Sequence, residues 1–332
     1  MIISRTPFRI SFFGGGTDYP AFYNEHGGAV LSTTINKFCY IFCRYLPPFF
    51  DHKYSIKYRK IEETRTIAEI EHPSARECLK FVNLERGMEI QHNADLPAMS
   101  GLGSSSAFTV GLLHALYGLK GEMKTKRQLA LDAIHVEQDL IRENVGSQDQ
   151  TTVAFGGLNK IEFGGPRKIL VSPVTVDQEK IVALQGHLLL MFTGFPRNAS
   201  EIAREQIKNT PEKVRELEAM MAMVEEAIKV LNSRNARLTD FGKLLHESWM
   251  IKRQLSSRIA GPAIDEIYQA GREAGAIGGK LLGAGGGGFI LFFVAPELRQ
   301  KVKEKLGKLL YVPFRFENLG SQIIYYAPEE NI

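Results

Sequence analysis

One acidic residue lies on the apolar side of a segment with helical spacing. Glu137 follows Ile134 by three residues and precedes Ile141 by four. An inward-facing carboxylate is costly unless a partner compensates its desolvation. That partner could be an arginine in a structural ion pair, or a metal ion held against phosphates. His135 and Glu137 also form the H-x-E pattern of zinc deaminases, but no cysteine follows Cys78, which excludes that class.

A second acid and one arginine also occupy positions where a charge needs an explanation. Asp149 lies in the glycine-containing stretch "NVGSQDQ", residues 144–150. It could cap a turn, or it could accept or orient the proton of a substrate hydroxyl. Arg9 lies within the otherwise apolar strand-like run "RISFF", which indicates an anionic partner.

Three stretches are unusually rich in glycine: "FFGGGTD" at 12–18, "SGLGSSSA" at 100–107 and "GAGGGG" at 283–288. Glycine allows backbone N–H groups to approach a ligand closely, and the start of a helix attracts anions. The middle stretch leads directly into an apolar run with helical spacing, and one of its serine hydroxyls could ligate Mg²⁺. A serine-capped turn is the alternative, but three such clusters favour a phosphate site.

The two common nucleotide-binding motifs are excluded. The nearest approach to a P-loop, "AGAIGGKLL", has Ala274 in place of the first glycine and Leu281 in place of the hydroxyl residue. The "GAGGGG" stretch fits a dinucleotide fingerprint in its letters, but it precedes the strand-like run "FILFF" and not a helix.

Composition predicts a soluble globular protein. The 332 residues are 44% hydrophobic and 23% charged, with a formal net charge of +4. That charge is too small and too evenly spread to predict a nucleic-acid partner. We expect no membrane span and no signal peptide, and we interpret Cys39, Cys43 and Cys78 as free core thiols of a cytoplasmic protein.

Local patterns predict the elements around these stretches. Thr125 and Gln128 form a capping-box pattern at the start of a helix. A hairpin is predicted from Val153 onward, and a later helix is predicted to begin with Thr210 as N-cap and Pro211 at its first position. Strands and helices are mixed in both halves, with a boundary between residues 165 and 185.

Taken in order, Arg9 with "GGGTDYP", then "GLGSSSA" and "GAGGGGF", resemble the GHMP kinases, from Arg5 to about Phe293. The resemblance implies an α+β fold of two domains. Residues 1–170 would form an ATP-binding domain like the second domain of ribosomal protein S5, and residues 171–332 a ferredoxin-like domain. It also implies ATP-dependent phosphorylation of a small alcohol with Mg²⁺ as cofactor.

The resemblance also implies roles for individual residues. Asp149 matches the catalytic aspartate, and Arg9 matches the basic residue paired with it. Ser105 and Glu137 match the magnesium ligands. The loop that wraps the ATP phosphates corresponds to Ser100, Gly101, Leu102, Gly103, Ser104, Ser105 and Ser106. This loop begins "LPAMSG", where the family usually has Pro-x-Gly-x-Gly.

Substrate contacts are expected from the first and third glycine-rich stretches, at Gly15, Gly16, Thr17, Asp18, Gly285 and Gly286. Galactokinases carry Glu and His where this chain has Gly15 and Gly16, so the side chains that would contact galactose are absent, whereas Asp18 is kept as an expected ligand of a sugar hydroxyl. Arg197, just after a strand-like run, could bind a phosphate of the acceptor or could be a solvent-exposed arginine.

The stretch "FFGGGTDYP" resembles the subgroup that phosphorylates the anomeric hydroxyl of D-glycero-D-manno-heptose 7-phosphate. That activity yields the 1,7-bisphosphate used to make activated heptose for surface glycans. The expected partner is thus a small sugar phosphate, and a homodimer stays open. An L-fucose kinase or another sugar 1-kinase is the alternative. A non-catalytic sensor of sugar and ATP is disfavoured because Asp149, Glu137 and Arg9 are all present.

Overall fold

The computed structural model describes residues 1–98, 100–165, 168–195 and 199–327. Arg197 therefore lies outside the described residues. The strands are β1 (Ile2–Phe13), β2 (Gly28–Tyr45), β3 (Tyr54–Lys57), β4 (Ile61–Thr64), β5 (Met88–Ala94), β6 (Asn159–Gly164), β7 (Lys168–Pro173), β8 (Leu188–Phe192), β9 (Ala276–Leu281), β10 (Phe289–Val294), β11 (Leu310–Tyr311), β12 (Phe316–Glu317) and β13 (Gln322–Tyr326).

The α-helices are α1 (Pro20–His26), α2 (Pro73–Val82), α3 (Ser104–Leu119), α4 (Lys126–His135), α5 (Gln148–Phe155), α6 (Gln178–His187), α7 (Ala199–Asn209), α8 (Val214–Asn232), α9 (Leu238–Lys252), α10 (Pro262–Glu273) and α11 (Arg299–Lys305). A π-helical turn, Val136–Leu140, continues α4. Short 3₁₀ turns lie at Ile67–Glu69, Thr210–Glu212 and Pro296–Leu298. None of the described helices is both long and apolar enough to cross a membrane.

The strands form two sheets, which is the α+β architecture that the sequence predicts. In the described chain, the larger sheet runs β13-β1-β2-β5-β3-β4, with β12 and β6 also pairing with β2, and β7 pairing with β6. Its pairs are antiparallel except for the parallel pair of β3 and β5. The smaller sheet is antiparallel in the order β11-β8-β10-β9. Its strands and helices follow one another as in a ferredoxin-like β-α-β-β-α-β unit.

The helix α3 packs against β1 and β2 and places the loop at 100–103 at the edge of the larger sheet. It is apolar nearly all round, which is typical of a fully buried helix. Gly111 allows the close approach, because a Cβ there would lie 2.9 Å from Oγ1 of Thr6. The hydroxyl of Ser4 donates to the Gly111 carbonyl at 2.7 Å, so β1 and α3 are held directly against each other.

The division at residue 170 does not follow the sheets. The strand β7 (Lys168–Pro173) pairs with β6 in the larger sheet. At the other end of the chain, β12 and β13 return to the larger sheet, where they pair with β2 and β1. The segment 171–332 is therefore not one unit by strand pairing, because its first and last strands belong to the sheet of the N-terminal part.

Two local predictions are wrong, and one is confirmed in part. Val153 lies inside α5, and the hairpin is formed by the later strands β6 and β7. The Thr210 hydroxyl donates to the Gln206 carbonyl at 3.1 Å, so Thr210 closes α7 through a 3₁₀ turn, and α8 begins only at Val214. Thr125 does cap α4 by accepting from the Gln128 N–H at 3.1 Å. All three cysteines are buried and free.

Candidate active site

The loop between β5 and α3 is held at both ends by the backbone of the two sheets. Gly101 and Gly103 adopt φ of 88° and 76°, which only glycine takes readily. The carbonyl of Leu102 accepts a hydrogen bond from the Arg9 N–H in β1 at 3.0 Å. The carbonyl of Ser100 accepts one from the Phe289 N–H in β10 at 3.1 Å. The loop thus bridges the two sheets.

Beside this loop lies a cavity of ≈ 320 Å³. Gly103 is the N-cap of α3, so the first turn of a 16-residue helix opens at the cavity wall. Backbone N–H groups in a first helical turn lack acceptors within the helix and attract anions. The sequence-predicted residues that line the cavity are Arg9, Gly15, Gly16, Asp18, Gly101, Gly103, Ser104, Ser105, Ser106 and Asp149.

Arg9 and Asp149 form a two-pronged ion pair at this wall. Nε and Nη2 of Arg9 donate to Oδ1 and Oδ2 of Asp149, both at 2.7 Å. Nη1 of Arg9 donates to the Gly101 carbonyl at 2.6 Å. The Arg9 side chain is 3% exposed and that of Asp149 is 26% exposed, so the carboxylate is accessible from the cavity. Asp149 also lies in the first turn of α5, where the helix dipole favours a negative charge.

Glu137 is fully buried in the π-helical turn behind the loop. Its Oε2 accepts a hydrogen bond from the Ser106 hydroxyl at 2.9 Å and another from the Gln150 amide. These described partners are neutral, so the structure supplies no arginine of the kind the sequence left open. Oε1 has no hydrogen-bond partner among the described residues. Burial, and to a lesser extent the charge of Glu143, raises the pKa of Glu137 to about 7.

The serine in contact with Glu137 is Ser106 and not Ser105. Ser106 is buried, whereas Ser105 is exposed and lines the cavity. Successive residues of a helix point in directions about 100° apart, so only one of the two can face the buried carboxylate. The magnesium role of Ser105 stays a prediction.

The turn at 14–18 places only part of its predicted substrate contacts in the cavity. The buried Thr17 hydroxyl donates to the carbonyls of Gly14 and Ala29, at 2.9 and 3.0 Å, and it holds the turn. Asp18 lines the cavity, and its Oδ1 accepts from the Gly16 N–H at 2.9 Å. Burial raises the pKa of Asp18, as does the nearby charge of Asp149.

The third glycine-rich stretch contributes Gly283 and Ala284 to the cavity. The predicted contacts Gly285 and Gly286 instead pack against Ile259. A Cβ on Gly285 would lie 2.7 Å from Cα of Ile259, and the Gly286 N–H donates to the Ile259 carbonyl at 2.9 Å. At these two positions, glycine allows close packing against the backbone of Ile259.

Comparison with known proteins places this geometry in a family. Residues 69–157 match the N-terminal domain of the GHMP kinases, and residues 224–312 match the C-terminal domain of the same family. The two matches together span more than half of the chain, and each contains residues of the cavity. The chain belongs to the GHMP kinase family.

Several members of the family are similar over most of the chain. A D-glycero-alpha-D-manno-heptose 7-phosphate kinase of Campylobacter jejuni is 29% identical, over 92% of this chain and 93% of that protein. An L-fucokinase/L-fucose-1-P guanylyltransferase of Bacteroides fragilis is 25% identical, over 91% of this chain and 35% of that protein. The crystal structure of a D-glycero-D-manno-heptose 1-phosphate kinase from Bacteroides thetaiotaomicron superposes with a TM-score of 0.73 at 23% identity, covering 98% and 99% of the two chains.

As a GHMP kinase, the chain is an ATP-dependent phosphotransferase with an alcohol acceptor, and members of the family typically use Mg²⁺. The residues around Glu137 fit that cation. Carboxylate and hydroxyl oxygens are the donors that Mg²⁺ prefers, and Oε1 of Glu137 is a buried acceptor without a partner among the described residues.

Sequence reasoning missed Lys252, Gln148 and Gln206, which also line the cavity. Lys252 is only 5% exposed, and its Nζ donates to the Gly283 carbonyl at 2.6 Å. The sequence holds a signal for it, because Leu245, Trp249 and Lys252 recur at the spacing of one helix face. As with Glu137, a charge on an apolar face predicts a partner or ligand that compensates its desolvation.

Proposed function

We propose that this GHMP kinase phosphorylates the anomeric hydroxyl of D-glycero-D-manno-heptose 7-phosphate. The product would be the 1,7-bisphosphate, an intermediate on the way to nucleotide-activated heptose for surface glycans. The observation that carries the transfer to a hydroxyl is the two-pronged pair of Arg9 and Asp149, at 2.7 Å, beside the glycine-rich loop. It supplies an oriented carboxylate and a fixed positive charge where phosphate-binding N–H groups meet the acceptor cavity.

Phosphoryl transfer asks a protein mainly for positioning and for stabilisation of charge. Backbone N–H groups at the start of α3 would bind the phosphates of ATP. The carboxylate of Asp149 would orient the acceptor hydroxyl and take its proton as the oxygen attacks the γ-phosphorus, while the bond from that phosphorus to the β-γ bridging oxygen breaks and ADP leaves. Arg9 fixes the Asp149 carboxylate in that direction and stabilises negative charge that develops on the attacking oxygen.

Glu137, with Ser106 or the predicted Ser105, would hold Mg²⁺ at the phosphate end of the site. When bound, the cation neutralises charge on the β- and γ-phosphate oxygens. Oε1 of Glu137 lacks a described partner, which is the feature that a bound cation would use.

Two further observations support heptose 7-phosphate as the acceptor. The relative from Campylobacter jejuni is aligned over nearly the full length of both proteins. Gly15 and Gly16 stand where galactokinases carry the Glu and His expected to contact galactose, and both line the cavity. Gly15 leaves space for a larger acceptor, because a Cβ there would meet nothing closer than 3.5 Å, whereas a Cβ on Gly16 would lie 2.6 Å from Nε2 of Gln206. The fucokinase relative makes L-fucose the second candidate.

A panel of acceptors tests the proposal. ADP release from Mg-ATP is measured with D-glycero-D-manno-heptose 7-phosphate, free heptose, L-fucose, galactose and mevalonate, and the product is examined by ³¹P NMR. We expect turnover with the heptose 7-phosphate and a new anomeric phosphate. Preference for an unphosphorylated sugar would overturn the substrate assignment and keep the kinase. Absence of ADP release with every acceptor of the panel, while ATP still binds, would contradict every acceptor proposed here.

A further inference from the structure

One face of the helix α7 forms part of the cavity wall. Ser200, Ala203 and Gln206 line the cavity at three-residue spacing, which is the spacing of one helix face. The helix is held near both of its ends. Nδ2 of Asn144 donates to Oγ of Ser200 at 3.3 Å, and the Thr210 hydroxyl donates to the Gln206 carbonyl at 3.1 Å. The backbone of Gln206 is therefore fixed relative to the cavity.

The amide end of Gln206 lies where Gly16 has no side chain. A Cβ on Gly16 would be 2.6 Å from Nε2 of Gln206, 3.1 Å from Cδ2 of Leu217 and 3.6 Å from Cδ1 of Leu255. The two leucine side chains supply no acceptor for the amide. Gln206 is 4% exposed, and its Nε2 has no hydrogen-bond partner among the described residues. A buried donor is thus presented beside the turn where substrate contacts are expected.

A second amide, that of Gln148 at the start of α5, lies beside Gly15. A Cβ on Gly15 would be 3.8 Å from Nε2 of Gln148. Oε1 of Gln148 is buried and also lacks a hydrogen-bond partner among the described residues. Gln148 lines the cavity and directly precedes Asp149, the residue proposed to take the proton of the acceptor. An unpartnered acceptor therefore accompanies the unpartnered donor.

These two amides differ from other unpartnered polar groups of the described chain. The hydroxyls of Ser11 and Ser100 and the indole N–H of Trp249, for example, are also buried without a partner, but these residues do not line the cavity. Within the part of the chain that the structure describes, only Gln148 and Gln206 combine an unpartnered buried atom with a place in the cavity wall. Since buried polar groups of native proteins nearly always have a partner, we expect a bound ligand to supply it.

The charges of the wall suit a neutral polar group at this position. The described lining includes the carboxylates of Asp18, Glu143 and Asp149 and the cations of Arg9 and Lys252. Arg9 is paired with Asp149, and burial raises the pKa of both Asp18 and Glu143. An anionic group would meet these carboxyl groups, whereas a hydroxyl can donate to them. This part of the wall therefore suits the hydroxyl groups of an acceptor and not its phosphate.

We propose that the amides of Gln206 and Gln148 bind hydroxyl groups of the acceptor sugar. Nε2 of Gln206 donates to one hydroxyl oxygen, and Oε1 of Gln148 accepts a hydroxyl proton, because a hydroxyl can play either part. The inference rests on the proposed function, since it takes the acceptor to be a sugar. It assigns recognition of the sugar to amides of α7 and α5, in place of the side chains that Gly15 and Gly16 lack.

Kinetics of Gln206→Met test the proposal, with Gln269→Met, an exposed glutamine of α10, as the matched control. Methionine is similar in length and removes the amide. We expect KM for heptose 7-phosphate to rise about 10-fold, while KM for ATP stays within twofold and the control behaves as wild type. The melting temperature should be no lower than that of wild type, because Nε2 has no described partner to lose. An unchanged KM for the acceptor, or an equal rise in both KM values, would overturn the role of Gln206.

Monodeoxy analogues of the acceptor distinguish a hydrogen bond from a packing effect. For at least one analogue, calorimetry should give equal affinities for wild type and Gln206→Met, because the hydroxyl that the amide contacts is missing. An equal loss of affinity for the parent sugar and for every analogue would show that Gln206 acts through packing, and would overturn the proposal. Gln148→Met gives the same comparison if Gln206→Met does not fold.

Calorimetric binding of the acceptors without ATP separates this inference from the proposed substrate. Turnover of heptose 7-phosphate, with equal affinity in wild type and in both variants, overturns this inference alone. If wild type binds and phosphorylates L-fucose instead, the substrate assignment fails, and a loss of L-fucose affinity in Gln206→Met still supports the role of the amides. Binding of mevalonate alone, or of no sugar at all, overturns both.

Discussion

The ionisation of Glu137 links the stability of the folded protein to the binding of a divalent cation. Burial raises the pKa of this carboxyl from 4.5 to about 7. Because the folded-state pKa lies above the unfolded value, ionisation of Glu137 opposes folding as the pH rises through this range. Each pH unit between the two pKa values lowers the free energy of unfolding by at most about 1 kcal/mol. A bound divalent cation would reverse the effect by stabilising the ionised form.

We therefore expect Glu137→Gln, without metal, to be at least as stable as wild type at pH 8, with the difference shrinking toward pH 5. Mg-ATP should stabilise wild type more than the variant, because binding to the folded state adds to stability. Thermal melts at both pH values, with and without Mg-ATP, measure this. A variant that melts below wild type at pH 8 without metal would contradict the destabilisation by ionised Glu137, and one that gains as much from Mg-ATP as wild type would contradict the ligand role.

At the scale of residues, the sequence revealed charges within apolar patterns and missed one of them. Arg9 and Glu137 stand out in this way, whereas Asp149 stands out as an acid in a glycine-containing turn, and the structure places Arg9 and Asp149 in direct contact. Lys252 carries the same signal in α9 and was overlooked. The choice between Ser105 and Ser106 could not be made from the sequence, because it depends on how α3 is rotated toward Glu137.

The start of α3 is the element on which phosphate binding would depend. Gly103 has φ of +76°, and a Cβ there would lie 3.1 Å from Cγ of Arg9 and 3.4 Å from Oδ2 of Asp149. Any side chain at this position would strain the backbone and press on the Arg9–Asp149 pair. Gly121 has a similar φ of +71° but nothing within 4 Å of an added Cβ, so it isolates the backbone effect.

We expect Gly103→Ala and Gly121→Ala each to lose about 1 kcal/mol of stability from the left-handed backbone. Only Gly103→Ala should also lower kcat/KM for ATP, by about 10-fold, because it displaces the groups that position the reaction. Thermal melts and steady-state kinetics of both variants give the comparison. Equal kinetics in the two variants would show that the N-terminus of α3 tolerates displacement of its neighbours.

At the scale of elements, the sequence predicted the helix after the serines and failed where one apolar run fits two structures. Val153 belongs to a run that suits a strand as well as the last turn of α5, and Gly156, with φ of +74°, ends that helix. Thr210 with Pro211 is a typical start of a helix, yet the Thr210 hydroxyl bonds backward to Gln206. In both cases the local sequence fits two structures, and packing against the rest of the protein selects one of them.

The whole molecule builds the site at the junction of its two sheets. The loop at 100–103 is hydrogen-bonded to β1 on one side and to β10 on the other. The Lys280 ammonium of β9 reaches the Phe12 carbonyl of β1 and adds a second connection. Both sheets therefore contribute to the cavity wall, and displacement of one against the other would change its shape.

This arrangement was predicted in outline only, through the resemblance to the GHMP kinases. The return of β12 and β13 to the larger sheet could not be found from local patterns, since it pairs segments about 300 residues apart in sequence. Periodicity identifies strands, but the choice of neighbour depends on the rest of the sheet. The division at residue 170 stays a prediction, and the pairing of β7, β12 and β13 with the larger sheet crosses it.

The most direct test of the central claim is the turnover of Asp149→Asn with Mg-ATP and heptose 7-phosphate, measured beside its affinity for ATP. Asparagine keeps the shape and an acceptor for Arg9 but cannot take a proton. We expect kcat to fall about 10²- to 10⁴-fold, with a folded protein by circular dichroism and ATP bound within a few-fold of wild type. A kcat close to that of wild type would remove Asp149 from the reaction and contradict the account of this site.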